Sequence, residues 1–185
     1  MSNRIVCAEC APTTAVNAAR ADRRASGDSR DVFLAMYIYR LGHRTAIRLR
    51  SSPNRRVDRL TLRLLTTVQK LLVYYPLKLE LPFAAHIGTG LRLPHPHNIV
   101  LNSRVAIGDG CTIFHGVTLG ESLSEGRLCP TIEDDVSIGA GAIIIGDVMI
   151  GRGAIVGAGS VVTKSVAAGQ TVVGINRLVG KRVGT

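Results

Sequence analysis

The sequence predicts an all-β solenoid of six-residue repeats, preceded by a short α-helical segment. The main observation is an aliphatic residue at every sixth position from residue 132 to residue 162. An α-helix repeats its apolar face every 3.6 residues and a strand every 2, so a period of six fits neither element alone. It fits a solenoid in which short strands alternate with corners around a shared core. These positions are Ile132, Ile138, Ile144, Ile150, Val156 and Val162.

Glycine follows most of these aliphatic residues, as in the units 138–143, 150–155 and 156–161. A corner needs backbone angles that a Cβ disfavours, which gives these glycines a physical role. The period also runs upstream, so we expect roughly five coils over residues 84–168. The upstream positions are Ile87, Leu93, Leu101, Ile107, Ile113 and Leu119.

Two interruptions break the upstream period. Leu93 and Leu101 are eight residues apart, so two extra residues bulge out near residues 94–98. Leu119 and Ile132 are thirteen apart, and the polar, glycine-containing residues between them predict a loop over 120–131. Loops on a rigid scaffold often carry functional sites. We therefore expect a β-helix domain over residues 79–185, with this loop and a C-terminal tail.

Composition and charge narrow the function classes. The chain has three Phe and no Trp, so the core must consist of Ile, Val, Leu and Ala. Residues 1–78 hold fifteen Lys and Arg against five acids, whereas residues 79–185 hold eight of each. The whole excess of +10 therefore lies in the N-terminal segment. No aromatic-studded sheet or helix-turn-helix pattern accompanies it, so we expect no nucleic-acid partner.

Residues 1–30 are rich in Ala, Arg, Ser and Thr without a steady period, which predicts a mostly disordered basic segment. They contain no apolar stretch of signal-peptide length, so we expect a cytoplasmic protein. Cys7 and Cys10 have no second pair to complete a zinc site. We interpret them as incidental reduced thiols.

An α-helical segment is expected over residues 31–78. One amphipathic helix covers 31–50, and a second runs from about Arg56 to Tyr75 and is ended by Pro76. Arg63 and Lys70 interrupt its apolar run, so it is not expected to span a membrane. A basic amphipathic segment can lie on an anionic membrane surface. We favour the alternative, in which the helices pack on each other or on a neighbouring subunit with Arg facing solvent.

Candidate catalytic residues lie near the first interruption. His95 and His115 are twenty residues apart, one coil plus the two extra residues, so their side chains should stack on adjacent turns. Glu80 lies fifteen residues before His95, close to one coil earlier. A carboxylate on one ring nitrogen leaves the other free to take a proton. Solvated corner residues are an equally good interpretation of the spacing alone.

Several ordered motifs give the chain a family resemblance over about residues 75–180. They lie at residues 79–95, 107–120, 138–142, 156–162 and 172–174. Together they resemble the serine acetyltransferase family, a branch of the hexapeptide-repeat acyltransferases. The resemblance implies a left-handed parallel β-helix, a homotrimer, and acetyl-CoA as co-substrate in the cleft between neighbouring β-helices. It implies an O-acetyltransferase that needs no metal.

The resemblance also assigns roles to residues. It implies that His95 is the essential histidine and that Glu80 orients it. His97, His115 and Arg127 are candidates for binding the acceptor. A backbone N–H near Gly120 is a candidate for holding the oxyanion. Candidates for contacting the pantetheine arm and the CoA phosphates are Gly139, Ala140, Gly157, Ala158 and Lys164, with Lys181 as an alternative to Lys164.

Two departures count against serine as the acceptor. The family's serine enzymes carry Asp directly before the catalytic histidine, where this chain has Pro94. They carry Arg-His before the Pro that follows the loop, where this chain has Leu128 and Cys129. Loss of a charge partner in a buried site typically costs ~2–5 kcal/mol of binding. Arg127 is one residue away and is an imperfect substitute.

Three functions remain open on the sequence. The favoured one is O-acetylation of a saccharide. In three features the chain is more similar to the acetyltransferases of colanic-acid and other exopolysaccharide clusters than to the serine enzymes. These are the short helical segment, the Cys-Pro after the loop and His115-Gly116-Val117-Thr118. The second is serine O-acetylation for cysteine biosynthesis. The third is a non-catalytic scaffold, against which the presence of Glu80 and His95 argues.

Overall fold

The computed structural model describes residues 14–51, 56–122, 128–175 and 177–179. Helices occupy the N-terminal part of this range and short strands the rest. The helical elements are α1 (Ala15–Ala25), α2 (Arg30–Ser51), α3 (Arg56–Gln69), a π-helical turn (Lys70–Tyr74) and α4 (Tyr75–Leu77). Across the described ranges, no helix is both long enough and apolar enough to cross a membrane.

Helix α1 corrects the prediction of disorder over residues 1–30, which is wrong for residues 15–25. The side chain of Thr14 caps the helix by accepting a hydrogen bond from the Asn17 N–H at 3.3 Å. Small residues on its inner face, Ala15, Ala18 and Ala19, are buried. The sequence pattern hid this helix because its buried face is made of Ala, whose contribution to hydrophobic periodicity is weak. Cys7 and Cys10 lie outside the described residues.

Thirteen strands in the described ranges build the solenoid that the period of six predicts. They are β1 (His86–Ile87), β2 (Val100–Leu101), β3 (Ala106–Ile107), β4 (Thr112–Ile113), β5 (Thr118–Gly120), β6 (Thr131–Ile132), β7 (Ser137–Ile138), β8 (Ile143–Ile145), β9 (Met149–Ile150), β10 (Ile155–Val156), β11 (Val161–Val162), β12 (Thr171–Val173) and β13 (Arg177–Val179). The fold class, a β-solenoid with an N-terminal helical segment, is confirmed.

Consecutive strands turn from one sheet to the next, so the chain winds around a three-sided core. Sheet I has the order β1-β3-β6-β9, sheet II the order β4-β7-β10-β12-β13, and sheet III the order β2-β5-β8-β11. Every pairing is parallel except that of β12 with β13. The six aliphatic residues predicted to point inward are each at most 1% exposed, which confirms the register of the repeat.

Helices α1 and α2 cover the open end of the first coil. The guanidinium of Arg40 donates to the carbonyl oxygens of Ile87 and Gly88. It also forms a buried ion pair with Asp22, at 3.1 Å. Asp22 in turn accepts a hydrogen bond from the Leu91 N–H at 2.9 Å. An uncovered sheet edge exposes unpaired backbone groups, and these side chains satisfy them.

Candidate active site

The three candidate histidines lie at the corner between sheets II and III, on the same side of the solenoid as the cofactor-binding candidates Gly139, Ala140, Gly157 and Ala158. We call this the histidine corner; it comprises residues 95–98, 114–116, 139–141 and 157–159. Backbone hydrogen bonds hold its turns in register: Gly116 N–H donates to His97 O (3.0 Å), Gly141 N–H to His115 O (2.9 Å), and Gly159 N–H to Ala140 O (2.8 Å). One column along the solenoid therefore contains His97, His115, Ala140 and Ala158.

Left-handed backbone angles shape this corner. Gly116, Gly141 and Gly159 have φ of 71°, 69° and 64°, and Asn98 takes the equivalent place in the lowest turn with φ of 56°. Glycine adopts this conformation without a steric cost, and Asn tolerates it better than most residues. The regular Gly-containing repeat thus fixes the turn that carries the histidines.

The two-residue insertion brings His95 onto the ring of His115. His97 N–H donates to His95 O at 2.8 Å, which folds the inserted residues back on themselves. The ring centroids of His95 and His115 are 5.9 Å apart and the planes are inclined by 68°. The stacking expected from the spacing is therefore present, although His97 is the residue in backbone register with His115. All three imidazoles are exposed to solvent in the single chain.

Glu80 lies one coil below this corner. Its backbone bridges to Val100, and its side chain is half-buried. It lines a cleft of about 410 Å³ together with Lys70, Tyr74 and Tyr75 of the helical segment. Across the described residues, its carboxylate makes no hydrogen bond or ion pair with His95. The expected orientation of His95 by Glu80 stays a proposal.

The sequence did not identify the two tyrosines and the lysine that share this cleft with Glu80. A signal was present, since Tyr74 and Tyr75 end the second predicted helix only five residues before the carboxylate. A second lysine, Lys78, places its Nζ 5.4 Å and 5.7 Å from the ring centroids of Tyr74 and Tyr75. Cation–π contacts of this kind hold a lysine over aromatic faces.

Gly139 and Gly157 have a structural reason to be glycine. A Cβ at Gly139 would come within 2.5 Å of the backbone nitrogen of Ala158 in the next coil. A Cβ at Gly157 would meet the side chain of Val173 at 2.9 Å. Both glycines therefore allow neighbouring coils to approach closely, whether or not they also leave room for a ligand. The side chain of Ala158 is exposed and that of Ala140 is partly exposed on the same corner.

Gly120 and Lys164 lie at a different corner, between sheets III and I. Gly120 ends strand β5, and Lys164 is an exposed residue just after β11. The corner at Gly116 and the whole of strand β5 lie between His115 and Gly120, so Gly120 is one side of the coil further on. A single chain therefore does not bring these two residues to the histidines. Arg127 lies outside the described residues.

Leu128 and Cys129 are the first residues that the structure describes after position 122. Burial, with the negative charge of Glu121, raises the pKa of the Cys129 thiol, which keeps it neutral at pH 7. The side chain of Leu128 is 49% exposed. In the described part of the chain, no group of three or more His, Cys, Asp or Glu is arranged to hold a metal ion.

Comparison with known proteins agrees with this architecture. The family described as "Bacterial transferase hexapeptide (six repeats)" matches residues 129–164. The chain is 45% identical over 97 residues to a serine acetyltransferase of Bacillus pumilus, which is 52% of this chain and 45% of that protein. It is 41% identical over 95 residues to a putative colanic acid biosynthesis acetyltransferase, WcaB, of Escherichia coli, covering 51% of this chain and 59% of that protein.

A solved structure matches over a longer range. The crystal structure of serine acetyltransferase in complex with coenzyme A from Brucella abortus superposes with a TM-score of 0.70 at 30% identity, over 91% of this chain and 68% of that chain. The chain spans about half the length of the curated relatives that it matches.

A three-sided parallel β-helix built from glycine-containing six-residue repeats defines a class, the hexapeptide-repeat transferases. The chain belongs to this family, in the branch of the serine acetyltransferases, and its solenoid is the left-handed parallel β-helix of that branch.

Proposed function

We propose that this protein is an acetyl-CoA-dependent O-acetyltransferase in which His95 is the general base. The observation that carries the proposal is the exposed His95–His115 pair on the histidine corner, held against a rigid solenoid. The two imidazoles are open to an incoming hydroxyl, and the backbone behind them is fixed by interstrand hydrogen bonds. The co-substrate is inferred from the relatives, which are named acetyltransferases, and from the Brucella abortus relative, whose structure contains coenzyme A.

The proposed reaction is a direct transfer. A ring nitrogen of His95 takes the proton from the acceptor hydroxyl while its oxygen attacks the thioester carbon. The tetrahedral intermediate then expels the CoA thiolate, which takes a proton from the imidazolium. The acceptor gains the acetyl group and CoA leaves as the thiol. Glu80 is proposed to stabilise the imidazolium as it forms, which requires its half-buried carboxylate to turn towards His95 from the coil below.

A second copy of the chain is proposed to complete the site. The histidines and the pair Gly120 and Lys164 stand at different corners of one chain. In a homotrimer, the sheet III–sheet I corner of one copy can face the histidine corner of its neighbour. Acetyl-CoA would then lie in the cleft between them, with Gly120 near the oxyanion and Lys164 near the CoA phosphates. The β-helix carries exposed apolar side chains suited to such packing, among them Met149 and Ile155.

We propose a saccharide hydroxyl as the acceptor, because the residues where the family's serine enzymes carry charged anchors are uncharged here. Pro94 directly precedes His95 and offers neither a charge nor an N–H. After the loop, Leu128 is apolar and exposed, and Cys129 is a neutral thiol. The nearby Glu121 would repel the carboxylate of an amino acid.

Serine O-acetylation is the second candidate. It is favoured by the names of several relatives, including the one from Bacillus pumilus, and it would require Arg127 to bind the serine carboxylate. A coupled-thiol assay with acetyl-CoA, comparing L-serine with a panel of monosaccharides and nucleotide sugars, tests both candidates. Acetylation of a sugar without turnover of serine supports the proposal. Efficient turnover of serine, with a KM of ~1 μM–1 mM, would identify serine as the acceptor in place of a saccharide. If none of the acceptors in the panel causes release of CoA, both candidates are contradicted.

A further inference from the structure

The helical segment presents a solvent-facing apolar stripe. Val57, Leu60 and Leu64 of helix α3 are 73%, 70% and 63% exposed, and Leu71 in the π-helical turn is 59% exposed. Their spacing of three, four and seven residues places them on one side of a helix. Helical residues 56–77 extend for roughly 33 Å at the usual rise per residue. Among the residues that the structure describes, none packs over this stripe.

A basic stripe runs beside the apolar one. Arg56, Arg59, Arg63 and Lys70 each directly precede one of the apolar residues, and all four are exposed. The acidic residue of α3, Asp58, is buried on the opposite side. The two stripes therefore form one surface of apolar and positive side chains without an exposed acid among them. It consists of residues 56, 57, 59, 60, 63, 64, 70 and 71. We call it the basic-apolar face.

We propose that the basic-apolar face docks the protein on an anionic membrane surface. An interfacial helix inserts its apolar side chains at the headgroup boundary while flanking Arg and Lys meet anionic lipids, which is the arrangement seen here. Tyr75, 58% exposed at the end of the same run, is a residue type enriched at this boundary.

A second copy of the chain is a poorer occupant than a membrane. Pairing two of these faces would bring four positive side chains against four others, with no acid to neutralise them. Burial of the apolar stripe is favourable against any apolar surface, but the positive charge beside it favours a surface that is also negatively charged. This choice departs from the expectation that the helices only pack on one another or on a neighbouring subunit. It does not depend on the acetyl transfer or on its acceptor.

Co-sedimentation of the full chain with lipid vesicles tests the proposal. We expect binding to phosphatidylcholine vesicles that contain phosphatidylglycerol, about tenfold or more weaker binding to pure phosphatidylcholine, and loss of binding as salt rises. Arg59→Glu/Arg63→Glu should weaken binding about tenfold or more. Leu60→Ser/Leu64→Ser should weaken it at low salt as well, because it removes the inserting side chains.

Arg20→Glu/Arg24→Glu is the matched control. These two arginines are also exposed and one helical turn apart, on α1, a helix that has no exposed large apolar residue. Their reversal should leave binding nearly unchanged. Circular dichroism melts verify that each variant folds; the serine variant alters only exposed positions and serves if the charge reversal does not fold.

Three results would overturn the proposal. They are absence of wild-type binding to the anionic vesicles, an equal loss in the α1 control, and a smaller particle for Leu60→Ser/Leu64→Ser than for the wild type by light scattering without lipid. The last result would identify the face as an interface between copies.

Discussion

The imidazole rings of His95 and His115 meet edge to face with centroids 5.9 Å apart, although twenty residues separate them in the chain. His97, not His95, is the backbone partner of the turn that carries His115. The two-residue insertion is therefore what moves His95 over that ring. An unbroken hexapeptide register would leave one histidine column, whereas the insertion adds a second imidazole beside it.

If His95 is the general base, His95→Ala should lower kcat by ~10²–10⁴-fold. Acetyl-CoA binding should be nearly unchanged, because the proposed role of His95 is to take the proton of the acceptor hydroxyl and not to hold the cofactor. Steady-state assays with the identified acceptor, together with calorimetric titration of acetyl-CoA, measure the two quantities separately.

His97→Ala is the control for this variant, since His97 is also exposed on the same corner. Its effect on kcat should be much smaller, and that of His115→Ala intermediate, because His115 supports the ring of His95. Equal losses for His115→Ala and His95→Ala would show that the base is misassigned.

Glu80→Gln should lower kcat less than His95→Ala, because the base remains and only its orientation and charge partner are lost. The pH profile separates this from a structural effect. A carboxylate stabilises a protonated imidazole, so its removal should move the acidic limb of kcat/KM to lower pH. Glu133→Gln is the control, since Glu133 is half-buried and bonded to the Arg152 N–H in another corner. An unmoved profile would assign Glu80 a purely structural role.

The period of six was sufficient to predict the solenoid, its inward residues and the position of both interruptions. It worked because each coil repeats the same local conformation, so sequence spacing translates directly into height along the axis. The same arithmetic placed His95 beside His115. The same spacing also places Gly120, five residues after His115, about one side further round the coil, so its position at another corner than the histidines could be predicted from the sequence.

The helical segment was less predictable. Helix α1 is not visible in the hydrophobic pattern, because its inner face is Ala and its key contact is a buried carboxylate, Asp22, which bonds to a residue 69 positions away. Residue periodicity contains no information on such long-range polar pairing. The apolar stripe of α3 was visible in the sequence, but its exposure followed only from the packing of its opposite side.

Replacing Ile144 by Asp should unfold the protein. Ile144 is fully buried between Leu119 and Val162 of the neighbouring coils. An unpaired carboxylate there costs more than ~4 kcal/mol, a large part of the stability of a domain. Ile47→Asp, at a position 44% exposed on α2, is the matched control and should retain the native circular dichroism spectrum. A native melt for Ile144→Asp would contradict the inward register.

Arg40→Met should destabilise the protein by ~3–5 kcal/mol, because it leaves the buried Asp22 without its charge partner. It also removes the donors to the carbonyl groups of Ile87 and Gly88. Arg152→Met breaks an exposed ion pair with Asp134 and should cost only ~0–1 kcal/mol. Urea unfolding of both variants measures the difference. Similar costs would mean that the helices contribute little to closing the first coil.

Stability should fall with acid because of two histidines beneath the β-helix. The rings of His43 and His86 lie 6.1 Å apart where α2 packs on the first coil. Burial lowers the pKa of both, and the charge of Arg40 adds to this. The carbonyl of Phe83, which accepts from His43, opposes the shift, as does Asp109 for His86, while Arg50 reinforces it for His43.

A lowered pKa in the folded state means that the unfolded chain binds protons first as the pH falls. The stabilisation is therefore complete above the unfolded value of 6.5 and is lost as the pH falls from there through the folded pKa values. The melting temperature of the wild type should fall between about pH 7 and pH 5. His43→Gln/His86→Gln should show a flatter dependence, and the exposed His97→Gln should follow the wild type. Parallel curves for the wild type and the double variant would exclude this pair as the source of the acid sensitivity.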